Sequence, residues 1–218
     1  MTGLRVAIEA GDKKVFASAL EWPGWSRAAK TEDAAVETLL AYAPRYAAVA
    51  QEAGTDLPDA FDVEIEERQG GGGGTDFGVA SSLTLAFDAR PVDRAEAERL
   101  ARLVEAAWTV LDRTAAGAPA ELRKGPRGGG RDRDKMVAHV IEADGAYARE
   151  LGLRLGGVDG GDHDAIAAYR RAMLAVLRAP SDGGPLAGRR WPHRYAARRI
   201  AWHALDHAWE MQDRSAPG

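Results

Sequence analysis

Cysteine is absent from all 218 residues of this chain. Its absence excludes disulfides, thiolate metal ligands and a cysteine nucleophile, so any metal must rest on nitrogen and oxygen ligands. Thiol chemistry would need a thiol from outside the protein. Histidine is scarce, with five residues, which makes the position of each one informative. No apolar run is long enough to span a bilayer, and no charged, apolar, small-residue signal stands at the amino end. The reading from sequence is therefore a cytoplasmic protein with no membrane partner. An excess of charge is missing too: a net charge of -4 gives no general attraction to nucleic acid or to an anionic membrane.

What remains is the composition of a folded chain, long enough for one large or two small domains with real cores. Sequence character changes near Pro91. The first part, residues 1–90, reads as a small β-sheet with one helix, and residues 91–218 read as helices separated by Gly- and Pro-rich turns. The fold class expected is α+β, an N-terminal α/β module followed by an all-α four-helix bundle.

In the first part, Leu4-Arg5-Val6-Ala7-Ile8-Glu9 alternates apolar with other residues, Gly11-Asp12 signals a turn, and residues 15–20 supply the second strand of a hairpin. Pro23-Gly24 ends it. Thr31 caps a helix with Glu32 and Asp33 in its first turn and Val36, Leu39, Leu40 and Ala43 as its apolar residues; Pro44 should kink or end it. Phe61, Val63 and Ile65 alternate with Asp62, Glu64 and Glu66, the pattern of a half-buried strand, and residues 79–87 are expected to be its partner. Gly70 to Gly74 then form a hairpin tip. A phosphate-binding loop is excluded there, because no Lys-Ser or Lys-Thr pair opens a helix after the last glycine.

In the second part, Leu100, Leu103, Val104, Ala107, Trp108 and Leu111 mark one face of a helix over residues 94–116 that stops at Gly117. Residues 123–133, basic and glycine-rich, read as a mobile loop. Met136, Val140, Ala143, Tyr147 and Leu151 trace a second helix that ends near Gly156-Gly157, and residues 162–178 a third. The fourth covers residues 192–214, with Ala196, Ile200, His203, Ala204, His207 and Met211 on a single face. Four helices of this length make a bundle.

His203 and His207 are four residues apart, so their imidazoles lie one above the other on that face, close enough to grip one ion. His139 sits beside the apolar stripe of the second helix and can be brought to them by helix packing. Hydrogen-bonded core histidines are the simpler alternative, but two stacked imidazoles in an apolar core are hard to satisfy unless something bridges them. Three neutral imidazoles would hold Zn(II), Ni(II) or Fe(II) and leave a position open for water or substrate. His163 and His193, at helix starts, are peripheral. Asp206 lies about 100 degrees around the helix from His207 and reads as solvated or as a supporting partner. Glu142, one turn beyond His139, reads as solvent-facing.

These residues carry a resemblance. Met136-Val137-Ala138-His139-Val140-Ile141-Glu142-Ala143-Asp144, followed about 60 residues later by His203-Ala204-Leu205-Asp206-His207, resembles the DinB-like superfamily, with one histidine on the second helix of a bundle and a His-x-x-x-His on the fourth. The match covers residues 92–214 and implies His139, His203 and His207 as metal ligands. It also implies a metal-dependent S-transferase or isomerase that uses a low-molecular-weight thiol. Phe16-Ala17-Ser18-Ala19-Leu20-Glu21-Trp22-Pro23-Gly24-Trp25 followed by Lys30-Thr31-Glu32-Asp33-Ala34 is similar to the HicB-like fold, over residues 4–88. That resemblance implies an order of strand, strand, helix, strand, strand. The DNA-binding segment that follows this unit in HicB antitoxins is replaced here by the helical part.

An open metal position that bound a thiol would lower its pKa and hold the thiolate beside a small-molecule electrophile. A water in that position would instead suggest a hydrolase with Glu142 as base. Arg189-Arg190 and Arg198-Arg199 could meet a substrate carboxylate or simply be solvated. Trp191, Tyr195, Trp202 and Trp209 crowd the last helix, as core, as a cleft lining or as the face of a homodimer. A non-catalytic interaction protein is the competing class. Nucleic acid is not an expected partner: Asp132 and Asp134 interrupt the basic segment around Arg123-Lys124-Gly125-Pro126-Arg127 and Arg131-Asp132-Arg133, and phosphate neutralisation needs an unbroken basic surface.

Overall fold

A computed structural model of the chain describes residues 2–80, 83–124, 130–154, 156–158 and 160–215. Strands β1 (Thr2–Ala10) and β2 (Val15–Ala19) form the expected hairpin, and a third strand, β3 (Ser26–Ala29), adds to β2 beyond the Pro23-Gly24 turn. Two helices follow, α1 (Glu32–Ala41) and α2 (Ala43–Glu52). Thr31 caps the first, its hydroxyl accepting from the Ala34 amide at 3.3 Å. Pro44 falls in the first turn of the second, where its missing N–H costs nothing. Strand β4 (Phe61–Gly70) then returns parallel to β1 with a bulge between Val6 and Ala7, giving the order β3-β2-β1-β4.

The residues after β4 depart from the expected hairpin. Gly70 closes the strand, a short helix α3 (Gly73–Phe77) follows, and the described part of residues 79–87 adds no strand to the sheet; residues 81 and 82 lie outside the description. A side chain has taken over the role of a strand partner: the Glu67 carboxylate accepts from the backbone amides of Ala86 and Phe87 at 2.9 and 3.3 Å. The apolar residues that suggested a strand are used for packing instead, with Leu85 and Phe87 buried against Ala7 and Leu20 on one face of the sheet. The observed order is thus three strands, two helices and a strand, in place of strand, strand, helix, strand, strand.

Beyond a 3-10 turn (Ala86–Ala89), the second part is helical: α4 (Arg94–Gly117), α5 (Arg133–Glu150), α6 (His163–Leu177) and α7 (His193–Ser215). The four pack together, α4 on α6 and α7, and α5 on α7. The loop expected over residues 123–133 gives way to α5 at Arg133, and its residues 125–129 lie outside the described ones. Among the described residues no helix is long and apolar enough to cross a membrane.

One continuous core joins the two parts. Leu4, Val6 and Ile8 from β1, Trp25 and Tyr46 share it with Leu100, Leu103, Trp108, Ile200, Leu205 and Trp209. Helix α7 lies at its centre and buries residues around most of its circumference, as an interior helix must. Trp202 packs on Phe16 and Ala80, and the Trp209 ring meets Tyr42 edge-on at 5.2 Å. Both tryptophans, exposed by only 3% and 1%, are therefore covered by apolar contacts within their own chain, each burial contributing on the order of 2–3 kcal/mol. Gly24, with φ +90, sets the turn directly on α7.

Candidate metal centre

Two helices build the centre. On α7 the repeat of four places His203 and His207 one above the other, with ring centroids 4.8 Å apart. From α5, His139 enters between them, its ring 5.0 Å from His203 and 5.2 Å from His207, nearly perpendicular to both. One ring nitrogen from each lies within 4.8 Å of the others, so the three are close enough to hold a metal ion. His203 Nε2 and His139 Nε2 face each other at 3.3 Å. An ion bound tetrahedrally about 2.1 Å from each nitrogen would keep such a pair about 3.4 Å apart. The donor set therefore fits a divalent transition metal, with a rotation of one or more rings to close the wider separations.

The electrostatics suit ligation, which requires neutral imidazole. Burial pushes the His203 pKa down to about 2, with His207 and His139 adding to the effect. His139 is lowered as well, by burial and then by Arg131 and His207. His207 Nδ1 lies 3.2 Å from the Glu210 carboxylate, which leaves Nε2 for a metal. His207 and, further along, Arg214 hold Glu210 below the usual carboxylate range; Arg214 Nη1 donates to it at 2.8 Å. A carboxylate behind a ligating histidine fixes its tautomer and raises its basicity. Glu210 and Arg214 were not among the residues singled out from sequence, although their spacing, three residues beyond His207 and then four more, places them on the same helix surface. Tyr147 was known only as part of an apolar stripe; its ring stands 5.8 Å from that of His203.

The remaining candidates separate clearly. Asp206 pairs with Arg27 at 3.1 Å, a link between α7 and β3 and not a metal ligand. Glu142 is exposed. His163 is exposed at the start of α6, whereas His193 is buried, not at the surface, with Nε2 2.7 Å from the Leu177 carbonyl oxygen. Arg198 is withdrawn from substrate binding by a bidentate pair with Asp88, at 2.9 and 2.6 Å, in the core. Arg190 pairs with Glu150 at 2.6 Å. Arg199 donates to the Ala80 carbonyl at 2.8 Å and lies over the rings of Trp202 and Tyr147. Beside Tyr147 a surface cavity of about 470 Å3 is lined by Arg190, Trp191, Tyr195 and Arg199.

No protein-family model matches this chain, no curated protein matches it, and no solved structure matches its fold.

Proposed function

We propose that this chain is a metal-dependent enzyme of the DinB-like type, in which His139, His203 and His207 hold Zn(II), Ni(II) or Fe(II) and an external low-molecular-weight thiol is the nucleophile for S-transfer or isomerisation. The observation that supports this reading is the convergence of three ring nitrogens within 4.8 Å on two packed helices. Three protein ligands leave a position open, and a cation there lowers the pKa of a bound thiol. The chain's own groups supply the rest. Glu210 orients His207, burial keeps His203 neutral, and the cavity beside Tyr147 offers aromatic walls and the Arg199 guanidinium to an electrophile with an acidic group. The lack of cysteine agrees with a thiol that arrives as a co-substrate. The N-terminal module, HicB-like in this reading, acts by packing: it covers α7 from the side opposite α5.

Elemental mass spectrometry of protein purified without an affinity tag tests the centre. About one equivalent of a transition metal in the wild type, lost in His203→Ala/His207→Ala, supports it and directs thiol-consumption assays with electrophilic substrates. No metal in either protein after reconstitution overturns the enzyme and leaves a scaffold that binds partners.

A further inference from the structure

Where β2 begins and β3 ends, a cavity of about 450 Å3 is lined by Lys13, Lys14, Arg27 and Lys30, with Asp206 as the one carboxylate among them. Strand register gathers these cations. Val15 pairs with Ala29 across β2 and β3, and the same register continued by one residue sets Lys14 opposite Lys30. Like charges facing each other across two strands are destabilising. The chain has 33 acidic and 29 basic residues, so carboxylates are not in short supply. Lys124 pairs with Asp132 at 2.6 Å, yet among the described residues Lys13, Lys14 and Lys30 have no ion-pair partner.

Two of the cations are held from behind. The Arg27 guanidinium lies 4.1 Å over the Tyr42 ring and its Nη1 donates to Asp206 at 3.1 Å, while its buried Nε has no partner among the described residues. Lys14 Nζ rests against Gly78, where an added Cβ would come within 2.7 Å of it. The carboxylates nearby are used elsewhere. Asp206 is engaged by Arg27, and Asp76, which is outside the lining, accepts from the Lys13 backbone amide at 2.7 Å and so ties down the β1–β2 turn.

We infer that this cavity is an anion site for a small phosphorylated molecule, whose phosphate oxygens accept from the Lys14 and Lys30 ammonium groups and from Arg27. Charge decides the sign of the ligand, since an anion removes the repulsion that the strand register imposes. The donors decide its class: lysines are point charges that meet a phosphate from several directions, and a phosphate ester brings about −1.5 to −2 charge to them. Phe16, Ala28 and Ala29 complete the lining and give the rest of the molecule an apolar wall. A nucleic acid needs a continuous basic surface, whereas here the cations meet in a hollow and the neighbouring Asp12 and Asp33 are exposed.

Inorganic pyrophosphate and inorganic phosphate are the probes, titrated into the full-length protein by calorimetry at about 100 mM salt, where the screening length is about 10 Å. Pyrophosphate is expected to bind about ten-fold more tightly than phosphate, because it carries more charge to the same cations. Lys14→Gln/Lys30→Gln should weaken pyrophosphate about ten-fold without lowering the thermal melt, since the change removes a repulsion and no contact. His203→Ala/His207→Ala should leave the affinity unchanged, which separates this site from the metal centre. Amide chemical shifts of the wild type provide a reading that needs no variant: pyrophosphate should move residues 13–16 and 27–30. Absence of binding, an affinity retained in the lysine variant or lost with the histidines, or shifts confined to residues elsewhere would overturn the proposal. So would an oligonucleotide that binds and is not displaced by pyrophosphate, which would make these lysines part of a nucleic-acid surface.

Discussion

His139 Nε2 and His203 Nε2 stand 3.3 Å apart across the contact between α5 and α7. Two neutral rings satisfy this contact when one carries its proton on Nε2 and donates to the other, and burial with His207 nearby disfavours a positive charge on His203. With both rings protonated on Nδ1 instead, the two Nε2 lone pairs are free and close enough to hold one divalent cation.

The carboxylate behind that centre gives the first prediction. Glu210→Gln keeps the size of the side chain but loses the charge that accepts from His207 Nδ1. Metal affinity, measured by competition with a chromogenic chelator, is expected to fall about 10- to 100-fold, with the metal-free thermal melt little changed. An unaltered affinity would remove Glu210 from the centre.

Arg198 and Asp88 form a buried bidentate pair, 4% and 0% exposed, that fastens the 3-10 turn to α7. Arg198→Ala leaves a carboxylate in the core and is expected to cost about 3–5 kcal/mol in urea unfolding. Arg198→Met with Asp88→Leu removes both charges and should recover much of that loss, although the Leu85 amide then loses the carboxylate it donates to at 2.8 Å. A double variant no more stable than Arg198→Ala would refute the desolvation argument.

Asp144 makes stability depend on pH. Its folded pKa is raised to about 7, so the native state holds a proton that the unfolded chain releases near 3.9. The stability is fully present below the lower value and is lost as pH rises through the higher one. The charged groups around it, Arg170 on α6 and Asp112 on α4, pair with each other. Asp144→Asn cannot ionise, so it should be more stable than the wild type above pH 7, by roughly 2–4 kcal/mol. The gain should shrink steadily towards pH 4. Unfolding curves at pH 4.5, 6 and 8 measure it, and a difference independent of pH would contradict the burial of an ionisable acid.

Gly24 joins the sheet to α7. Its φ of +90 is a conformation L side chains rarely adopt, and a Cβ would come within 2.7 Å of Leu205 Cδ1 and 2.9 Å of the Ala201 carbonyl carbon. Gly24→Ala is expected to destabilise the protein by about 2–4 kcal/mol. A variant as stable as the wild type in chemical unfolding would show that the turn and the helix can move apart.

Where a single element sufficed, the sequence was legible. The apolar periods of α4, α5, α6 and α7, the Thr31 cap, the break at Pro44 and the β1–β2 hairpin all depend on residues close in the chain; the boundaries read for α4, α6 and α7 fall within one residue of the observed ones, whereas α5 ends at Glu150, short of the Gly156-Gly157 stop read from sequence. His203 and His207 belong to this class, since the helix repeat alone stacks them. Residues 79–87 and Gly70 to Gly74 mark the opposite case. Their local pattern favoured a strand and a tip, and a competing acceptor, the Glu67 carboxylate 19 and 20 residues away, took the backbone donors instead.

The sequence by itself determined the helices, their apolar faces and the absence of any thiolate ligand. Only the tertiary structure decided that His139 enters between His203 and His207, that Glu210 is the carboxylate behind them, that Arg198 is committed to Asp88, and that Trp202 and Trp209 face the sheet and α1–α2 side of their own chain. Hydrogen-bond and apolar periods act within an element and are written in neighbouring residues. Which faces meet is decided by burial and charge pairing summed over the whole molecule, between residues as far apart as His139 and His203, and no local pattern records that sum.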